Sequence, residues 1–168
     1  MRTSRLVLIA ACTTFACRAE PRDLDRAHAE AMRDSVRRFA VQIARGLAED
    51  GPAAWLRYFE PHPSFFMASD GALVFPDLDS ATVFVRELAR RYSAIELQWI
   101  DLRVEPVAPG LAVIASAYHE TITDTAGATI VFGGYVTGLA RHTGDGWRLR
   151  DLHWSTPVPP SQGRDTRE

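Results

Sequence analysis

The chain has 168 residues, 19 basic against 21 acidic side chains, with 46% hydrophobic and 24% charged residues. Those are the proportions of a soluble globular protein of one domain, long enough to bury roughly 70% of its unfolded surface without staples. A net charge of −2 excludes the strongly basic face that nucleic acid demands, and both cysteines, Cys12 and Cys17, stand near the N-terminus, so the remainder holds neither a disulfide nor a cysteine metal site.

In chain order, Arg2 and Arg5 precede the apolar run Leu6 to Ala16. This is the length of a secretory signal and too short to span a bilayer as a mature helix. Thr14-Phe15-Ala16-Cys17 resembles a bacterial lipobox, with Thr14 where that pattern prefers Leu. Ile9-Ala10-Ala11-Cys12 fits the residues better but leaves too short an apolar run. The expectation is a signal peptide over 1–16, a lipidated Cys17 and tether over 17–25, and export to a membrane-anchored position facing the periplasm or cell exterior. The alternative is a secreted protein cut near Ala16 or Ala19.

From Leu24 to Glu49 the positions Met32, Val36, Phe39, Ile43 and Leu47 recur at three- and four-residue steps, which predicts a long amphipathic helix. Asp50-Gly51-Pro52 stops it and starts a short second helix, Ala53 to Phe59. Ser69-Asp70-Gly71 is a turn signal between Phe65–Ala68 and Ala72–Phe75, hence a hairpin. Asp77 or Asp79 N-caps a third helix to about Tyr92, with Phe84, Leu88 and Tyr92 as its buried stripe. Four strands follow at about 95–106, 111–123, 128–142 and 146–155. The adjacent Trp99 and Ile100 break the alternation and predict a β-bulge, or a strand buried on both faces. The Pro- and Arg-rich tail, 158–168, reads as disordered.

Three helices before a long antiparallel meander resemble the α+β cone of the nuclear-transport-factor-2-like superfamily, its SnoaL-like branch in particular. The residues that carry the resemblance are the break at Gly51-Pro52, the opening Gly110-Leu111-Ala112-Val113, and the ending Gly134-Tyr135-Val136-Thr137, Gly146-Trp147-Arg148-Leu149 and His153-Trp154-Ser155. The resemblance covers 26–157 and implies a fold in which helices pack on a strongly curved sheet. It is poorly specific for activity, because this fold hosts isomerases, cyclases, hydrolases, ligand carriers and assembly domains.

With unbroken alternation, Trp147, Leu149, Asp151, His153 and Ser155 share one face and Arg148, Arg150, Leu152 and Trp154 the other. The resemblance implies that the first set faces the cone. His153 is then a candidate general base or ligand anchor, since imidazole titrates near neutrality. The simpler reading is a buried His that helps close the cone. Tyr118 and Glu120 share a face opposite His119 and Thr121, so the adjacent pair His119-Glu120 does not build a metal site. Neither a metal nor a cofactor is expected. The resemblance offers two further patterns. One is a Tyr donor with a carboxylate base, as in ketosteroid isomerases, for which Tyr135 or Tyr118 and Asp101 are candidates. The other is the Asp-Arg-Asp set of limonene epoxide hydrolases, of which only Asp101-Leu102-Arg103 is present. Neither is complete. The expected ligand pocket is Trp99, Tyr118, Phe132, Tyr135, Trp147, His153 and Ser155. Leu152 and Trp154, on the outer face, are expected to form a homodimer interface. The leading expectation is a lipid-anchored cone that binds a small apolar or amphipathic molecule. The alternatives are an isomerase, cyclase or hydrolase with a His or Asp base, and a dimeric scaffold without a ligand.

Overall fold

The computed structural model describes residues 24–157. The signal segment, Cys17 and the tail 158–168 lie outside the described residues. Helix α1 spans Arg26–Asp50. The Asp25 carboxylate caps it by accepting from the His28 N–H at 2.9 Å. Gly51, at φ 67°, ends it by donating to the Leu47 carbonyl, in left-handed backbone that favours Gly. Val36, Phe39, Ile43 and Leu47 are buried, as their spacing predicts. The expected second helix is instead a 3₁₀ segment, Pro52–Arg57. Pro61 and Pro63 follow too closely for a stable α-helix.

Strands β1 (Met67–Ser69) and β2 (Ala72–Phe75) form the expected hairpin. Its turn residues Asp70 and Gly71 have φ of 48° and 85°, as a two-residue type I′ turn requires. Helix α2 spans Leu78–Arg91, with Asp77 in a reciprocal capping box with Ser80. Its buried residues are Ala81 and Val85, not the predicted stripe. Phe84 is 44% exposed and Leu88 half-buried because both border a cavity, while Tyr92 already begins the next strand.

Strands β3 (Tyr92–Ala108), β4 (Leu111–Asp124), β5 (Thr129–Thr143) and β6 (Gly146–Ser155) complete a six-stranded sheet in the order β2-β1-β6-β5-β4-β3. Among the described strand pairs β1–β6 alone is parallel, extended by a parallel bridge from Phe59 to Leu149. The core lies on the inner face, where Leu97, Val104, Ile114, Ala140 and Leu149 join the buried α1 stripe in one cluster and α1 packs chiefly on β3. No helix among the described residues is long and apolar enough to cross a membrane.

Of the register irregularities in the sheet, two are bulges centred on an Asp in left-handed backbone: Asp101 at φ 53° and Asp151 at φ 52°. Asp is among the few non-Gly residues that tolerate this region. The first bulge lies between Ile100 and Arg103, beside the predicted irregularity. Before it the odd positions Ile95 and Leu97 are buried; after it the even positions Val104 and Pro106 are. At the second, Asp151 and Leu152 oppose the single residue Gly138, between the pairs Thr137–His153 and Leu139–Arg150. A Cβ at Gly138 would enter the Leu152 side chain, so Gly makes room for the bulge.

Candidate functional site

The second bulge inverts the expected facing of β6. Trp147 and Leu149 are buried on the inner face. Beyond Asp151 it is Leu152, only 1% exposed, and Trp154 that turn inward. His153 is exposed and pairs with the exposed Thr137. Ser155 is also on the outer face, where its hydroxyl donates to the Tyr135 carbonyl at 3.1 Å. Tyr135 is 42% exposed. His153, Ser155 and Tyr135 therefore do not share the inner face; Tyr135 and Ser155 line an outer hollow of about 430 Å³ with Tyr118 and His119 instead, while Leu152 and Trp154 turn into the fold rather than out toward a partner. Asp101 is exposed on its own bulge and does not border the cavity.

Two of the expected pocket tryptophans do point inward, but towards α1. The Trp99 indole N–H donates to the Ala40 carbonyl, and that of Trp147 to the Ser35 hydroxyl, both at 2.9 Å. They clamp the helix to the sheet. A buried indole needs such a partner, and here the helix supplies it.

Tyr118 and Phe132 border a cavity of about 360 Å³ between the helices and the sheet. The 3₁₀ segment brings Trp55 to it, α2 brings Phe84 and Leu88, and β6 brings Trp154. Strand β4 contributes Tyr118, Glu120 and Ile122 from successive inner positions. The hairpin turn and the end of β6 add Ser69, Asp70 and Thr156. Among the described residues, no Arg or His borders the cavity.

Glu120 is the residue that sequence reasoning missed. It is 8% exposed, and its neighbours across the sheet are Leu97 and Phe132. Burial pushes its carboxyl up to about 7, because an apolar surrounding disfavours the charged form. The available signal was the inner register Ile114, Ser116, Tyr118, Glu120, Ile122, in which one acid interrupts a buried alternation. The Tyr118 phenol is also pushed up, by burial first and then by Glu120 and Asp70. It therefore remains an O–H donor. Its ring meets Trp154 edge-on, 4.6 Å between centroids.

Asp70 is the opposite case. The Thr156 N–H and hydroxyl donate to its Oδ1 at 2.7 and 3.1 Å, and the Ser69 hydroxyl to its Oδ2 at 3.2 Å. The Thr156 amide, above all, holds this carboxyl below the usual range, and the field of His153 adds least. The cavity thus has an exposed carboxylate at its edge and a buried carboxyl that is about half-protonated near neutrality, a separation of the kind that divides acid from base roles.

No protein-family model matches the chain, and no curated protein matches it. Solved structures do match in fold. A candidate scytalone dehydratase from Novosphingobium aromaticivorans superposes with a TM-score of 0.65 at 9% identity, covering 77% of this chain and 86% of its own. A candidate dehydratase of the nuclear-transport-factor-2-like family from Streptomyces avermitilis gives 0.64 at 12%, covering 77% and 99%. A nuclear-transport-factor-2-like superfamily protein from Salmonella enterica serovar Typhimurium gives 0.57 at 16%, covering 80% and 94%. The chain therefore has the nuclear-transport-factor-2-like fold, an α+β cone with a curved six-stranded sheet.

Proposed function

We propose that the protein, a SnoaL-like cone by its motifs, binds a small, largely apolar molecule in the cavity and that Glu120 meets a polar group of that molecule. The single observation that carries this reading is a carboxyl raised to about 7 on the wall of a cavity lined chiefly by aromatic and aliphatic side chains. At 360 Å³ the space falls within the range of small-molecule sites, about 300–1,000 Å³. Benzene fits a cavity of about 150 Å³, so a ring with a substituent is the right scale. Below about pH 7 the protonated Glu120 donates a hydrogen bond, and it becomes an acceptor only as pH rises through that value.

A second reading is favoured by the pairing of Glu120 with Tyr118. A carboxyl that titrates near working pH beside a phenol donor is suited to proton transfer of the isomerase or dehydratase kind. Two of the fold neighbours are candidate dehydratases, and a shared fold supports that reading only by analogy. We also propose that the chain is exported and held to a membrane through a lipid on Cys17.

Native mass spectrometry of protein purified under mild washing tests the binding reading. A defined extra mass is expected, and the cavity-filling variant Ile122→Trp should lose it. The reading fails if no mass is retained and the emission of Trp55 and Trp154 does not respond to millimolar 2-phenylethanol.

A further inference from the structure

The charge and ring geometry of the cavity narrow the class of its ligand. Two acidic side chains, Asp70 and Glu120, border it, and no Arg or His does so among the described residues. Trp154 stands at 88° to Trp55 and 77° to Tyr118, with centroids 5.8 and 4.6 Å apart. These edge-to-face contacts and the stacking of Trp55 on Phe59 occupy part of the ring surfaces, and all three rings still border the cavity. An aromatic face is the negative part of the ring's quadrupole, and a cation within about 6 Å of it is attracted. An anion would meet ring faces and a carboxylate with no cation to pair with. Asp70 sits beside the same corner, since its N–H donates to the Trp154 carbonyl at 3.2 Å. Its Oδ1 is taken up by Thr156, whereas Oδ2 accepts only from Ser69 and keeps capacity for a further donor. His153, the basic residue whose field reaches Asp70, is exposed on the outer face and does not border the cavity.

We infer that the ligand is a hydrophobic organic cation, a quaternary or protonated amine on an apolar body. Its charge lies between Asp70 and the corner formed by Trp154, Trp55 and Tyr118. The body lies against Ile122 and Phe132. This inference rests on the reading that the cavity binds a small molecule, and it names the class.

Three probes of one size separate the two claims: benzyltrimethylammonium, its uncharged isostere neopentylbenzene, and the anion phenylacetate. Affinities are read from the emission of Trp55 and Trp154, both of which border the cavity. The cation is expected to bind about tenfold more tightly than the isostere, the scale of a desolvated cation–π contact. Phenylacetate is expected not to bind measurably. Asp70→Asn keeps a residue that tolerates left-handed backbone, and it should bring the cation's affinity down toward that of the isostere. If the isostere or the anion binds as tightly as the cation, the inference is overturned while the binding reading stands. An undiminished preference for the cation in Asp70→Asn also overturns it. If none of the three binds, both are overturned.

Discussion

Glu120→Gln isolates the electrostatic cost of the cavity wall. The reference carboxyl titrates at 4.5, and in the folded protein burial raises it to about 7. Between those two values the folded chain holds a proton that the unfolded chain has released, so stability falls as pH rises through this window. The difference of two and a half units, at 1.36 kcal/mol per unit, makes a penalty of about 3 kcal/mol once pH exceeds the folded value. Against a typical domain stability of about 5–15 kcal/mol that is easily measured. Gln has the shape of the protonated acid and cannot ionise. The variant should therefore match the parent at pH 4 and be more stable by about 3 kcal/mol at pH 8.5. Urea denaturation followed by Trp emission at several pH values gives the difference curve, in which every other titrating group cancels. A difference that does not change between pH 4 and 8.5 would refute the reasoning, because Glu120 would then not titrate in a perturbed range.

Other perturbations test other links. Asp151→Val places a β-branched residue at φ 52° and should cost about 1–3 kcal/mol in urea denaturation, whereas Asp151→Gly should cost little; equal losses would mean that the left-handed backbone is not the cause. Glu60 is 4% exposed and accepts from Arg141 Nη1 at 2.7 Å. Glu60→Ala should destabilise by about 1–3 kcal/mol, since the pairing ties the segment carrying Phe59 to β5, and an unchanged midpoint would count against that role. Cys17→Ser should release the protein from the membrane fraction of its host, and a variant that sediments with membranes like the parent would end the lipid-anchor proposal.

The sequence made visible whatever is set by local periodicity. The α1 stripe, the Asp70-Gly71 turn and the irregularity after Trp99 all follow from spacing, and the structure has each of them. An alternation continued through Asp151 gives the wrong facing for the end of β6. Its apolar positions 147, 149, 152 and 154 contain one odd step, from Leu149 to Leu152, which is the trace a bulge leaves in a pattern of period two. Reading that step would have placed Trp154 inside and His153 outside. Other features have no local trace. The indole partners of Trp99 and Trp147 lie on a helix some 60 and 110 positions away. Asp70 reaches the cavity because β1 pairs in parallel with β6, a contact between distant segments. Glu120 was legible as an inward residue with Tyr118, but its chemistry depends on neighbours contributed by β3 and β5.

The parallel pairing of β1 with β6, and the bonds from Thr156 to Asp70 across 86 positions of chain, set an order of events. A chain synthesised from its N-terminus can form α1, the hairpin and the β3–β5 meander while β6 is still missing. The compartment that holds Glu120 does not exist until the final strand arrives and draws the hairpin against itself. Its closure is a strongly non-local step of folding and, by loop-closure entropy, a late one. Before that step Trp55, Phe75 and Tyr118 lack the cover of β6, and the nascent chain is most exposed to aggregation. A guest molecule that occupies the compartment also holds the ends of the domain together, so ligand binding and completion of folding are the same closure seen from two sides.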